Sequence, residues 1–131
     1  MIKYFVGAAF LIAGLSTAAA ETHSRDVAAR KASVVNGHVY YNQNQCTSGP
    51  IAQVKVKVAP KHGSVEIRRT TYNPPKGQRC YGKKFNAVVV IYTPKKGYRG
   101  KDTFKTRYSM PKYVQGSQMN YFTDTYKINV K

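Results

Sequence analysis

A two-residue alternation of apolar and polar side chains runs through most of the chain from Ser33 onward. It is clearest at residues 53–58, where valines and lysines take turns. Successive side chains of an extended strand point to opposite faces, so this pattern predicts strands with one face buried and the other in solvent. Glycine, proline and asparagine interrupt the pattern at short intervals, and no amphipathic helix is indicated. The alternation therefore predicts an all-β fold.

About seven short strands are expected in residues 33–131, which suits an immunoglobulin-like β-sandwich. Asn36-Gly37 is a dipeptide typical of tight hairpins and predicts a turn there. The unbroken apolar run from Ala87 to Tyr92 predicts a central strand covered on both faces. Further strands are predicted at residues 34–35, 38–41, 53–58, 64–68, 104–110 and 121–130.

The first twenty residues have the composition of a secretory signal peptide. Lys3 is followed by an apolar stretch and then by three alanines that end at Ala20. The stretch is shorter than the roughly 18–20 residues that a membrane span requires, which disfavours an uncleaved anchor. We predict cleavage after Ala20, a mature form without a transmembrane segment, and a periplasmic or secreted protein. Residues 21–32 are polar and are predicted to form a flexible N-terminal tail.

The predicted export bears on the oxidation state of the two cysteines, Cys46 and Cys80. In an oxidising compartment an even pair of cysteines predicts a disulfide. The closed loop would stabilise the fold by about 3–4 kcal/mol in the chain-entropy model. The alternative, a catalytic thiol, is disfavoured, and we predict a structural bridge.

Two linked motifs resemble those of bacterial cadherin-like and immunoglobulin-like modules. The first has the form YTP-x-x-GY-x-G-x-D-x-F, and the second, upstream, has the form P-x-HG-x-V. The residues that carry them are Pro60, His62, Gly63, Val65, Tyr92, Pro94, Gly97, Tyr98, Gly100, Asp102 and Phe104. The resemblance covers about residues 50–131 and extends to small exported single-domain versions from alpha-proteobacteria, which have a cysteine in each corresponding loop. It implies a sandwich used for adhesion, spacing or binding, and not one particular function.

The motif residues also have a direct physical interpretation, which is architectural. Pro94 lacks a backbone donor and ends a strand, while Gly97 and Gly100 permit positive φ in turns. Asp102 can accept hydrogen bonds from backbone amides. We interpret His62 as a turn residue and not as a ligand or a base.

The charge of the chain indicates a kind of partner. There are 22 Lys and Arg against 5 Asp and Glu, a net charge of +17, and such a field attracts polyanions. Lys105 and Arg107 have the same parity on one predicted strand and so face one way. The candidate contacts are Lys55, Lys57, Lys83, Lys84, Lys95, Lys96, Arg99 and Lys101. We predict a non-enzymatic binding module for lipopolysaccharide, acidic polysaccharide or glycosaminoglycan; the alternative is a basic surface that only keeps a small domain soluble.

Two other functions stay open. One is an accessory subunit recognised by an envelope protein through an exposed sheet edge. The other is a small secreted ribonuclease, in which Glu66 would pair with His38 or His62 as base and acid. Arg68 or Arg69 would then hold the phosphate.

No cofactor is expected. The three histidines are separated along the chain, and the acidic residues follow no calcium-loop spacing, so neither zinc nor calcium binding is predicted. The acidic residues are Glu21, Asp26, Glu66, Asp102 and Asp124.

Overall fold

Nine strands make up most of the computed structural model, which describes residues 19–111 and 119–131. They are β1 (Ala19–Val27), β2 (Ser33–Val39), β3 (Tyr41–Asn42), β4 (Thr47–Ser48), β5 (Gln53–Val58), β6 (Gly63–Tyr72), β7 (Phe85–Pro94), β8 (Gly100–Pro111) and β9 (Met119–Val130). Within the described ranges, no helix is long and apolar enough to cross a membrane. The predicted all-β fold is confirmed.

Seven of these strands form two sheets. The four-stranded sheet has the order β1-β9-β8-β5, the three-stranded sheet has the order β2-β7-β6, and β3 and β4 form a short ribbon. β1 runs parallel to β9, and the other pairs are antiparallel. The two larger sheets pack face to face, so the chain forms a β-sandwich, as predicted.

The apolar core lies between the two sheets and is built around three aromatic rings. Tyr92 on β7 stacks on Phe104 of β8 at 5.9 Å between ring centroids, and Phe104 stacks on Tyr126 of β9 at 4.5 Å. All three side chains are fully buried. Large rings of this kind contribute much of the apolar surface removed from water, which is the main favourable term in folding.

Strand β7 contains the apolar run that predicted a central strand. It lies between β2 and β6, with Val90 and Tyr92 in the core. Ala87 and Ile91 are also buried, although their parity places them on the opposite face of the strand. The predicted coverage of both faces is confirmed.

The predicted flexible tail at residues 21–32 is wrong, because most of it belongs to β1. The nine residues of β1 pair with β9, and the Val27 side chain lies in the core. The segment looked unlike a strand because its inward positions carry His23 and Arg25, which bond to Asp124 Oδ1 and to the Val35 carbonyl. These bonds allow polar side chains to occupy positions where alternation expects apolar ones.

The predicted signal peptide lies mostly outside the described residues, which begin at Ala19. Ala19 and Ala20 are the first two residues of β1, opposite Phe122 and Thr123. Cleavage after Ala20 stays a prediction, and it would leave Glu21 as the first residue of the strand.

Two irregularities in strand pairing also differ from the predicted pattern. Asn36-Gly37 does not form a hairpin but lies inside β2, beside a bulge between Val34 and Asn36. A second bulge in β5 places Val58, and not Lys57, opposite Lys105, so Val58 is 48% exposed. Both bulges arise from pairing with a neighbouring strand, so the alternation of residues within one strand does not predict them.

The disulfide between Cys46 and Cys80 is formed, as predicted. Cys46 lies in the turn between β3 and β4, and Cys80 lies in the long connection between β6 and β7. Arg79 strengthens this junction, since its Nε donates a 2.7 Å hydrogen bond to the Gln43 carbonyl. The bridge therefore fastens two connections at the same end of the sandwich.

Candidate functional site

The outward face of the four-stranded sheet carries five basic side chains. The alternate residues of β8, including Phe104, are buried, so Lys105 and its neighbours of the same parity point to solvent. The same argument applies to β9, where Tyr126 and Ile128 are buried on either side of Lys127. The five residues are Lys55, Lys101, Lys105, Arg107 and Lys127. We call the surface that they form the basic face.

Strand register distributes these charges over three adjacent strands. Lys55 on β5 lies directly opposite Arg107 on β8, and both are exposed. Across the other edge of β8, Lys105 lies opposite Thr125, and Thr103 lies opposite Lys127. Like charges placed directly opposite one another in a sheet are destabilising, so the Lys55–Arg107 pair costs folding stability. Violations of local rules of this kind are expected at functional or strained sites.

A groove lies next to this pair, between β5, β8 and β9. Its volume is about 300 Å³, and its lining includes Lys55, Arg107, Tyr121 and Met119. The Arg107 guanidinium carbon lies 4.5 Å from the centroid of the Tyr121 ring, which is within cation–π distance. The groove thus combines positive charge with an exposed aromatic ring, on which a flat ligand can stack.

The acidic group on this face lies at its edge. Asp26 on β1 is 2.9 Å from the Lys131 ammonium, which hydrogen-bonds to it and holds the pKa of the carboxyl below its ordinary value. Lys101 acts on Asp26 in the same direction. Among the described residues of β5, β8 and β9 that face outward, none is acidic. The middle of the face is therefore uniformly positive.

Of the eight predicted contacts, only Lys55 and Lys101 lie on the basic face, and Lys101 lies six residues before Arg107, the partner of Lys55, on β8. Lys57 lies at the bulge of β5. Lys83 and Lys84 precede β7, whereas Lys95, Lys96 and Arg99 follow it, so these two groups lie at opposite ends of a ten-residue strand. At about 3.3 Å per residue they are roughly 30 Å apart. One patch containing all eight residues is therefore not formed.

Three residues of the basic face were absent from the predicted contacts. The common parity of Lys105 and Arg107 was visible in the sequence, but their pairing with β5 was not. Lys127 could have been found from the alternation around it, since it is flanked by apolar residues at positions 126 and 128. Assigning it to the same face required knowledge that β9 lies beside β8.

The predicted architectural motif centres on the buried carboxylate of Asp102. It accepts hydrogen bonds of 3.1 Å from the Lys61 and His62 amides and of 2.9 Å from the Thr103 amide. The Tyr92 hydroxyl donates a fourth, of 2.7 Å. The predicted bonding of Asp102 to backbone amides is confirmed.

The other motif residues surround this carboxylate. His62 stacks on Tyr98 with ring centroids 4.1 Å apart, and the Tyr98 hydroxyl donates to the Lys101 carbonyl. Gly97 and Gly100 have φ of 83° and 132°, as predicted, which permits the turn between β7 and β8. Pro60 lies at the turn between β5 and β6, which Gly63 closes, and Pro94 ends β7.

Glu66 and His38, one of the two acid–base pairs of the ribonuclease hypothesis, are not assembled; His62, of the other pair, lies in the turn before β6 and stacks on Tyr98. Glu66 lies on the outward face of the three-stranded sheet, where Arg68 donates two hydrogen bonds to it. His38 points the other way, between the sheets, and its ring lies 4.4 Å from that of Tyr108. Because the two side chains lie on opposite faces of one sheet, they cannot act on one phosphate.

Comparison with known proteins adds little to this geometry. No family model matches the chain, and no curated protein matches it significantly. A solved structure described as the solution structure of Amebosin is similar over 86% of this chain and 98% of its own, with 12% sequence identity and a TM-score of 0.42. The resemblance to cadherin-like modules stays an expectation, and the site must be interpreted from its own chemistry.

Proposed function

We propose that this protein is an exported, immunoglobulin-like module that binds an anionic polysaccharide through the basic face. The observation that carries the proposal is the Lys55–Arg107 pair, in which two like charges lie directly opposite each other beside Lys105. An anionic ligand that lies across β5, β8 and β9 would neutralise charges that the fold otherwise holds together at a cost.

The geometry of a sheet suits a linear polyanion. Neighbouring strands lie about 4.8 Å apart and side chains of one face recur about every 7 Å along a strand, so the cations form a two-dimensional array. Threonines 103, 123 and 125 lie among them and can donate hydrogen bonds to sulfate or carboxylate oxygens. The ring of Tyr121 offers a surface for a sugar ring in the adjacent groove.

The test compares two variants that remove the same charge from different places. In the face variant, Lys55, Lys105 and Arg107 are each replaced by glutamine. In the control variant, Lys83, Lys84 and Lys95 are replaced in the same way, which gives an equal net charge. Binding of heparin, used as a sulfated probe, is measured by calorimetry at several salt concentrations.

We expect the face variant to bind at least about thirty-fold more weakly than wild type, and the control to change by less than about five-fold. The dependence of log K on log salt should become shallower by about two to three for the face variant, because fewer counterions are released. Equal losses in the two variants would show that net charge alone, and not the basic face, attracts the polymer.

An envelope protein is the alternative partner, and capture from an envelope extract by wild type and by the face variant distinguishes it. Backbone pairing at an edge strand such as β6 releases few counterions, so it should persist at high salt. Capture of one envelope protein equally by wild type and face variant at high salt would contradict the polysaccharide proposal.

A further inference from the structure

The part of the sandwich interior next to β1 is polar. Asp124 on β9, Thr106 on β8 and His38 on β2 are all buried, with exposures of 3%, 0% and 8%. They lie beyond the aromatic stack that forms the apolar core. Burial of polar groups is costly unless each has a partner, so this region calls for an explanation.

Three buried side-chain atoms here have no hydrogen-bond partner among the described residues: Asp124 Oδ2, His38 Nε2 and Thr106 Oγ1. The other oxygen of Asp124, Oδ1, lies 3.0 Å from His23 Nε2. Burial lowers the pKa of His38, against the opposing effect of Asp124. The carboxylate oxygen can accept a hydrogen bond or bind a cation, and the imidazole nitrogen can bond to a water molecule in either tautomer.

A second carboxylate joins this cluster from β1. Strands β1 and β9 run parallel, and Glu21 lies opposite Asp124 in their register. One ligand atom from each of Glu21, His23 and Asp124 lies within 4.8 Å of the other two. The acidic residues, dispersed in sequence, are therefore partly brought together in the fold, contrary to expectation.

The charges around this cluster favour a cation. The chain has only 5 acidic residues against 22 Lys and Arg, yet two of the five converge here. Within the described ranges, neither carboxylate forms an ion pair with a lysine or an arginine, and the partner of Asp124 is His23. Two carboxylates within 4.8 Å of each other repel. A bound cation would reduce this repulsion and would give the unpaired Asp124 oxygen a partner.

We propose that Glu21, His23 and Asp124 bind a divalent transition-metal cation, for which Zn²⁺ is the natural probe. One imidazole nitrogen and two carboxylate oxygens are a ligand set that Zn²⁺ accepts, and water can complete its coordination. Glu21 is exposed and the His23 side chain is 16% exposed, which gives the ion a path to buried Asp124.

The consequence is a clamp on an edge strand. β1 pairs with a single neighbour, β9. Glu21 and His23 lie on β1, and Asp124 lies on β9. A metal ion that joins both strands stabilises the paired state, since unfolding would separate its ligands. This site lies between the sheets and is independent of the basic face, so either proposal can fail without the other.

The test titrates Zn²⁺ into the metal-free folded protein, both full-length and in the form that begins at Glu21, with calorimetry and thermal unfolding as readouts. We expect one equivalent to bind and the unfolding temperature to rise. Glu21→Gln and Asp124→Asn should each weaken Zn²⁺ binding by at least about tenfold and abolish the thermal shift. Asp26→Asn, which removes a carboxylate from the outward face of the same strand, is the matched control and should bind as wild type does.

Three outcomes would overturn the proposal. One is equal Zn²⁺ affinity in wild type and Glu21→Gln; this exposed position keeps the test valid even if Asp124→Asn fails to fold. Another is an equal loss of Zn²⁺ affinity in Asp26→Asn.

The third outcome concerns the N-terminus. After cleavage at Ala20, the amine of Glu21, the intervening backbone nitrogens and His23 could chelate Cu²⁺ or Ni²⁺ in a square plane. Metal binding that survives both carboxylate variants but is lost when the amine is acetylated would assign the metal to that chelate.

Discussion

The hydroxyl of Tyr92 donates a 2.7 Å hydrogen bond to Oδ2 of Asp102, and this bond joins the two sheets. Tyr92 lies on β7 of the three-stranded sheet, and Asp102 lies at the start of β8 in the four-stranded sheet. The same carboxylate accepts bonds from the turn between β5 and β6. One buried side chain thus holds three parts of the chain at this end of the sandwich.

Replacement of Asp102 by alanine should be strongly destabilising. It would leave the buried Tyr92 hydroxyl without its acceptor, at a cost of about 1–3 kcal/mol, and would also remove the acceptor of the part-buried Lys61 and His62 amides. We expect a total loss of at least about 3 kcal/mol in the free energy of unfolding, measured with urea. Asp26→Ala, at an exposed carboxylate, should leave the urea midpoint close to that of wild type. Similar midpoints for the two variants would contradict the role of Asp102.

Tyr92 should also make stability fall at alkaline pH. Burial, together with the hydrogen bond to Asp102, raises the pKa of Tyr92 well above its ordinary value. Above about pH 10 an unfolded tyrosine loses its proton while folded Tyr92 keeps it, so the unfolded state binds fewer protons and stability decreases as pH rises. Tyr92→Phe should make this decrease shallower in urea unfolding measured across that range. Tyr121→Phe, at an exposed ring, should follow wild type.

Gly63 should not tolerate a side chain. A Cβ at this position would lie 2.6 Å from the Thr93 carbonyl oxygen and 2.8 Å from the Tyr92 ring. Both neighbours are held in place, one by strand pairing and the other by the core, so Gly63→Ala should cost about 1–3 kcal/mol. Gly37 is the control, because a Cβ there meets atoms only at 3.8 Å. The measurement is the thermal unfolding temperature of both variants. A lower unfolding temperature for Gly37→Ala than for Gly63→Ala would contradict this prediction.

The disulfide should contribute much of the stability. Replacing Cys46 and Cys80 together by alanine opens a loop with a sequence separation of 34, and we expect a loss of about 3–4 kcal/mol. Thermal unfolding of the double variant is the measurement. Reduction of wild type with a thiol should lower its unfolding temperature to a similar extent. A loss below about 1 kcal/mol would show that the two connections are held by other contacts.

If the protein binds polysaccharide as proposed, Tyr121 should contribute to heparin binding through its ring and not its hydroxyl. Its ring lies under the Arg107 guanidinium and borders the groove. Tyr121→Ala should weaken heparin binding by about three- to ten-fold, whereas Tyr121→Phe should bind within about two-fold of wild type. Equal losses in the two variants would assign the effect to the hydroxyl instead.

Some elements could be predicted because their causes are local. Alternating valines and lysines predicted β5, and an unbroken apolar run predicted the central position of β7. The turn chemistry of Gly97 and Gly100 followed from residue type, and the disulfide followed from the even pair of cysteines together with the expectation of export. β1 was missed because its inward side chains, such as His23, are satisfied by hydrogen bonds from other strands.

The sequence by itself determined that this chain is all-β, strongly basic and closed by one disulfide, since periodicity, charge and cysteine number are properties of the chain. Only the tertiary structure decided which charges meet. Lys55 joins Arg107 because β5 is the neighbour of β8, and His23 meets Asp124, 101 residues away, because β1 adds in parallel to β9. Strand order and register arise from contacts distant in sequence, and local patterning does not encode them.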